Sequence, residues 1–288
     1  MTNKILVIAN PAASGGKSTE VYHRFTDFLK SHSIPFQEYL TKGTDDEKAI
    51  QALIEGNLPK TISVIGGDGT LNIVLNSLPS LKTKIHLIPA GTGNDFSKEL
   101  YEGLNEEQIF ELILQREKLK KVDVWRVNHK RFINCFGAGF DGEIAQRMYG
   151  KKYFLPSKLK YWLEILRSIF TYKSSKLTIN GKTQSCFMMA VANGKVYGGG
   201  FKIAPLAETT DGLADLIIVG KVPIFKRFLY LPIIERGEHL KLDVITYSKS
   251  DHITIASERP LPAQIDGEPM LAEKYEISRE GGIDFLIA

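Results

Sequence analysis

The sequence predicts an α/β protein in two parts: a parallel sheet covered by helices over residues 1–127, then a mainly antiparallel β region over residues 128–288. Three observations predict it. Before residue 128, short β-branched runs alternate with helical periodicities, the pattern of βα units. Two of those runs end in glycine-rich turns that open directly into helices. After residue 128, strand-like runs and turn signals dominate.

Each element has its own signal. Ile5-Leu6-Val7-Ile8-Ala9 reads as a buried strand, and Val21, Phe25, Phe28 and Leu29 then recur at helical spacing. Residues 36–40 form a second strand. Thr44 or Asp45 caps a helix carrying Ala49, Leu53 and Ile54 on one face. Residues 60–65 and 84–88 are two further apolar strands, and Leu71 begins a helix between them. Residues 106–115 are an amphipathic helix. In the second region, residues 122–127 and 131–136 pair around Asn128-His129, and residues 176–179 and 184–192 flank the hairpin signal Asn180-Gly181. Further strands are expected at 214–219, 242–247, 253–256, 263–266, 275–278 and 283–287, with helices near 142–149, 158–171 and 224–235. No flexible linker marks the junction and no repeat is visible.

Composition excludes some classes. With 43% apolar and 10% aromatic residues the chain can bury a core and is not disordered. The two cysteines, Cys135 and Cys186, sit in apolar runs and read as buried thiols rather than a disulfide or metal site. A net charge of +4 permits attraction to anionic lipid or nucleotide without demanding it. There is no signal-peptide core, and no apolar run approaches the ~20 residues that span a bilayer. A cytoplasmic protein is expected, peripheral at the inner membrane surface if its substrate is a membrane lipid.

The motifs carry the chemistry. Gly66-Gly67-Asp68-Gly69-Thr70 lies between a strand and a helix, where free N–H groups and the helix dipole favour phosphate. A carboxylate beside a polyphosphate calls for a cation between them, so Asp68 suggests a nucleotide with Mg²⁺. The loop is neither a Walker A sequence nor a dinucleotide fingerprint. A second strand ends in Pro89-Ala90-Gly91-Thr92-Gly93-Asn94-Asp95-Phe96. Parallel strands bring their C-terminal ends to one edge, so Asp68 and Asp95 are expected to share it, with Thr92 and Asn94 serving the turn or the next helix. The first strand ends in Asn10-Pro11-Ala12-Ala13-Ser14-Gly15-Gly16-Lys17, groups that also suit phosphate contact.

These loops resemble those of the diacylglycerol kinase catalytic family, with the bacterial soluble lipid kinases most similar. The resemblance rests on Asn10-Pro11, Gly66 to Thr70 and the 89–95 loop. It extends to Phe136-Gly137-Ala138-Gly139-Phe140-Asp141, Thr210-Asp211-Gly212-Leu213 and Asp266-Gly267-Glu268. It implies ATP contact by Asn10, Thr41, Gly66, Gly67, Asp68, Gly69, Thr70, Leu71, Asn72 and Thr92. It adds Asp123 to Asp68 and Asp95 in a water-mediated Mg²⁺ network. A structural Mg²⁺ is implied at Asp211 with the backbone carbonyls of Glu208 and Leu213. Glu268 is the implied proton acceptor, with Asp266 orienting or binding metal beside it. Read without the family, Asp-Gly at a strand end is more often a plain turn, for Asp211 and Asp266 alike. One departure is Ile73, where the family often has Glu.

The resemblance implies a two-domain ATP- and Mg²⁺-dependent lipid kinase with its active site in the interdomain cleft, acting on diacylglycerol or a related membrane lipid alcohol. The alternatives are an NAD kinase-like enzyme, which shares the Gly66 to Thr70 loop, and a silent nucleotide-binding regulator. No nucleic-acid partner is expected, and a homodimer is left open. The helix over residues 158–171 carries Leu159, Trp162, Leu163, Leu166 and Phe170, flanked by Lys151, Lys152, Lys158 and Lys160. It reads either as a membrane-contacting helix or as a helix packed on its own domain.

Overall fold

The computed structural model describes residues 4–115, 118–149 and 157–288, without the side chains of residues 157–162. The backbone groups into two compact units, Met1–Val124 with Gly281–Ala288, and Trp125–Glu280.

The first unit follows the βα alternation. Its elements are β1 (Ile5–Ala9), α1 (Lys17–Ser31), β2 (Phe36–Leu40), α2 (Asp46–Asn57), β3 (Thr61–Gly66), α3 (Asp68–Ser77), β4 (Lys84–Pro89), α4 (Asp95–Leu100), α5 (Glu106–Gln115) and the start of β5 (Leu119–Val127). The strands lie parallel in the order β2-β1-β3-β4. All five residues of β1 and all six of β3 are buried, which explains why apolar and β-branched residues dominate both runs. In α1, Val21, Phe25 and Leu29 are buried at intervals of four, one face of a 3.6-residue helix. The cap of α2 differs from the expectation. Asp45 sits in left-handed backbone without a side-chain cap bond, and the Asp46 carboxylate instead accepts the N–H groups of Lys42 and Gly43.

The second unit contains the end of β5, then β6 (Lys130–Phe132), β7 (Cys135–Gly139), α6 (Phe140–Met148), α7 (Ser157–Thr171), β8 (Ser175–Ile179), β9 (Lys182–Cys186), β10 (Met188–Ala192), β11 (Ala214–Val219), α8 (Ile224–Arg236), β12 (Ile245–Ser250), β13 (His252–Ile265) and β14 (Glu268–Leu286). The order β12-β11-β10-β7-β13-β14 is antiparallel throughout. Side chains alternate between two cores: Phe136, Met189, Val191 and Leu216 enter one, while Cys135, Ala190, Ala192 and Ile217 enter the other beneath the helices. The Asn180-Gly181 turn has both residues at positive φ, 48° and 78°, as a two-residue hairpin requires.

Four strand expectations change, the run expected at 242–247 lying three residues later at Ile245–Ser250. The run 131–136 is interrupted at Ile133-Asn134, so β6 pairs with β5 while β7 pairs with β10 and β13. The run 184–192 is likewise two strands, divided at Phe187. The four short strands expected at the C-terminal end are two long ones, with a register shift between Ala256 and Leu261. The far end of β14 also leaves the second unit. Phe285 pairs in parallel with Ile85 of β4 and packs edge-on against Phe96, so Gly281–Ala288 belong to the first unit. Lys151 and Lys152 lie outside the described residues, as do the side chains of Lys158, Leu159, Lys160 and Trp162. Among the described residues, no helix is long and apolar enough to cross a membrane.

Candidate functional site

In the first unit the predicted loops meet at one place. Strand β1 lies between β2 and β3, so successive connections leave it in opposite directions and open a crevice at the ends of β1 and β3. Asn10 follows β1. Its N–H donates to the Ile65 carbonyl at 3.0 Å, and its side-chain Nδ2 donates to Thr70 Oγ1 at 3.3 Å. The Thr41 N–H at the end of β2 donates to the Ala9 carbonyl at 2.9 Å, which sets Thr41 beside the same edge.

The two glycine loops touch. A Cβ on Gly91 would lie 2.4 Å from the Gly67 Cα, so the approach leaves no room for a side chain. Asn94, in left-handed backbone, closes the second loop by accepting the Gly91 N–H and donating to the Gly91 carbonyl, both at 2.8 Å. Asp68 then bridges the loops. Its two oxygens accept the N–H groups of Asp95 at 3.1 Å and Phe96 at 3.2 Å, capping α4 from the start of α3. Burial pushes the Asp68 carboxyl above the usual range, the two N–H donors oppose this, and the Asp95 carboxylate adds to the rise. Asp95 is itself buried and pairs with Lys98 at 2.8 Å.

The remaining predicted positions divide by burial. Leu71 is a core side chain, so only its backbone is open to a ligand, and Thr70 and Asn72 are buried. Asn72 accepts from Asn76 Nδ2 one turn along α3. Gly69 lies in the first turn of α3, and Thr92 is exposed at the loop tip. Asp123 is buried in β5. Among the described residues no three acidic, histidine or cysteine side chains form a direct metal cage.

The second unit holds the other set. Asp266 and Gly267 are the two positive-φ residues, 48° and 93°, of the hairpin that pairs Ile265 with Glu268. The Asp266 carboxylate accepts three N–H groups, from Ile133 and Asn134 at 3.0 Å and from Cys135 at 2.9 Å. It thereby satisfies the backbone where β6 breaks into β7. Those bonds make Asp266 an anchor of this turn, with Glu268 exposed at its far side.

Two buried residues behind this turn were missed as site residues. Gln264 accepts the Gly267 N–H at 2.7 Å and donates to Asp141 Oδ2 at 2.9 Å. Burial pushes the Asp141 carboxyl up to about 6. Gly137 is needed there, since a Cβ on it would meet Asp141 Oδ2 at 1.8 Å. The available signal was polarity: Gln264 is a polar residue buried between Ala263 and Ile265 of a strand, on the opposite face from them.

The Asp211 loop is an Asx turn, with the Leu213 N–H donating to Asp211 Oδ1 at 3.0 Å. Lys249 Nζ lies 2.7 Å from Asp211 Oδ2 and 3.8 Å from Asp215 Oδ2. Asp215 is buried, and its Oδ2 has no hydrogen-bond partner. The two carboxylates are a donor set that fits a cation, a place the Lys249 ammonium takes here.

Asp141 also lines an apolar cavity within this unit, walled by Phe140, Ile165, Ile169, Phe201, Leu231 and Ile234. Arg227 reaches its edge, with its guanidinium 4.3 Å from the Phe187 ring centroid and donating to the carbonyls of Ile169 and Tyr172.

The comparisons agree with both halves. Residues 4–127 match the diacylglycerol kinase catalytic domain, and residues 134–277 match the YegS C-terminal NAD kinase beta sandwich-like domain. The chain is 27% identical to a diacylglycerol kinase of Staphylococcus carnosus (strain TM300), over 93% of this chain and 89% of that one. It is 28% identical to a diacylglycerol kinase of Bacillus subtilis (strain 168), over 72% and 70%. The crystal structure of a diacylglycerol kinase from Bacillus anthracis str. Sterne shares the fold, with a TM-score of 0.74 at 23% identity over 99% of this chain and 97% of that one. Fold and relatives make the chain an enzyme of the lipid kinase class. It belongs to the diacylglycerol kinase family, with a second unit of the YegS type. Membership of a kinase family implies use of ATP.

Proposed function

We propose that the protein transfers the γ-phosphoryl group of ATP, with Mg²⁺, to the hydroxyl of diacylglycerol or a related membrane lipid alcohol. The observation that carries this reading is the pair of glycine loops locked together by Asp68 at the end of the parallel sheet. Backbone N–H groups of the Gly66 to Asn72 segment and of Thr92 cradle the phosphates, and Asn10 and Thr41 contact the nucleotide beside them. The side chains within these loops are already fixed by one another, so the cradle costs little reorganisation when charge develops.

Asp95, with Asp68 and Asp123, would hold Mg²⁺ through water. The ion supplies charge neutralisation at the transferring phosphoryl group. A second Mg²⁺ would sit at Asp211 and the carbonyls of Glu208 and Leu213, where the buried Asp215 oxygen, without a hydrogen bond and 3.8 Å from the Lys249 ammonium, supports a cation. Glu268 accepts the proton of the lipid hydroxyl. Asp266 keeps the turn that carries it in place, because its own oxygens are engaged by three N–H groups. The apolar cavity beside Asp141 suits an acyl chain. The lipid brings the protein to a membrane surface as a peripheral enzyme of the cytoplasm.

The test is a radiolabelled-ATP assay against a panel of lipid alcohols and NAD. Phosphorylation of diacylglycerol or a close analogue is expected, with dependence on Mg²⁺. Efficient phosphorylation of NAD with none of any lipid would overturn the reading.

A further inference from the structure

We propose that the outer face of α7 and α8 is the surface by which the protein docks on an anionic lipid bilayer. The inference rests on the lipid kinase reading for its purpose, but its observations are separate. Among the described residues, half of the exposed large hydrophobic side chains lie on these two helices: Leu163, Leu166 and Phe170 on α7, and Ile224, Phe225 and Leu229 on α8. Phe170, Phe225 and Leu229 are each more than 60% exposed.

Each helix packs one side on the core and keeps large apolar residues on the other. Helix α7 already buries one face through Ile165, Ser168 and Ile169, and Leu163, Leu166 and Phe170 stand on the other. Helix α8 has no fully buried residue, yet most of its residues are apolar, and Ile224, Phe225 and Leu229 stand in solvent. A helix with apolar residues on its solvent side pays in water and gains in a bilayer interface. Phe170 meets Phe228 with ring centroids 5.1 Å apart, so the two helices present one continuous patch.

Charge selects the occupant. Arg167, Lys173, Lys221 and Lys226 are exposed on or beside the patch. The acid of α7, Glu164, is buried, and Glu235 stands at the far end of α8. An apolar patch set among cations complements an anionic membrane surface, whereas a second copy would set these cations against their own kind. The inner sides of the same helices wall the apolar cavity through Ile165, Ile169, Leu231 and Ile234. A lipid leaving the bilayer at this face therefore meets the cavity within the same unit.

The test is cosedimentation with vesicles of phosphatidylcholine, alone and with phosphatidylglycerol. The full chain is compared with two double variants, Phe225→Ser with Leu229→Ser, and Lys221→Glu with Lys226→Glu. The wild type is expected to sediment with the anionic vesicles and to be released by salt. Each double variant should lose about ten-fold or more in vesicle affinity. Thermal unfolding should be unchanged, as should phosphorylation of a short-chain diacylglycerol dispersed in water. Wild-type affinity in both variants, or no binding of the wild type to anionic vesicles, would overturn the proposal. So would a dimer broken by Phe225→Ser with Leu229→Ser while vesicle binding persists, which would assign the face to a second copy. If the lipid kinase reading itself fails, no form phosphorylates the dispersed lipid, and the vesicle result still stands or falls alone.

Discussion

Gln264 holds Asp141 at 2.9 Å with one end of its amide and the Gly267 N–H at 2.7 Å with the other. A buried carboxyl on α6 is thus tied to the turn that carries Glu268. The link has one polarity, donor toward Asp141 and acceptor toward Gly267, so a side chain without both groups cannot replace it.

Asp141 makes stability depend on pH. Burial raises its pKa from 3.8 to about 6, so the folded state holds the proton more tightly than the unfolded chain. The sign follows: this stabilisation is full below the unfolded value and is lost as pH rises through about 6. Its size is at most roughly 3 kcal/mol, two pKa units. In Asp141→Asn the amide oxygen still accepts from Gln264 and nothing titrates. Denaturant unfolding near pH 4 and pH 7 should show the wild type losing stability relative to the variant. Parallel pH profiles would mean that Asp141 titrates normally.

Glu268 and Asp266 should separate by phenotype. Glu268→Gln keeps the shape of the turn and removes the base. It should leave stability and ATP binding near wild type and lower kcat strongly. A milder fall is expected if the group only orients the alcohol, because a loose transition state needs little early deprotonation. Asp266→Ala strands three N–H groups and should cost on the order of 2–4 kcal/mol of stability. Unfolding curves and kinetics on the same two variants read this directly. A stable, inactive Asp266→Asn beside an active Glu268→Gln would pass the role of base to Asp266.

Asp68 is expected to show both effects at once. Asp68→Ala removes the cap of α4 and should cost about 1–2 kcal/mol while leaving the fold intact. Phosphoryl transfer should fall by a few orders of magnitude. Normal turnover in the folded variant would remove Asp68 from the catalytic machinery.

For Asp211 the readout is thermal. If this loop holds a structural cation, EDTA should lower the Tm of the wild type and change Asp211→Ala little further. Equal sensitivity in the two proteins would mean that the Lys249 ammonium, 2.7 Å from Asp211, is the only cation the loop needs.

Much of the first unit was legible in the residues because its signals are local. Strands β1 and β2 and helix α5 fall where their runs predict, and Gly66-Gly67-Asp68 announces a phosphate turn without any tertiary information. Asn94 was legible only as a helix cap; that it closes its own loop while Asp68 caps α4 depends on two loops 27 residues apart meeting.

In the second unit, alternation and turn residues gave the class and the Asn180-Gly181 hairpin, since a two-residue turn needs positive φ at both positions. The divisions at Ile133-Asn134 and Phe187 were not legible, because strand pairing there is decided by which neighbour satisfies the backbone. The sequence by itself determined the α/β-then-β order, the glycine loops and the carboxylates near them. Only the tertiary structure decided that Asp266 is an anchor, that Gln264 reaches Asp141, and that Gly281–Ala288 return to the first unit. The physical reason is range: propensity and periodicity act over a few residues, whereas a buried polar group takes whichever partner the fold brings to it.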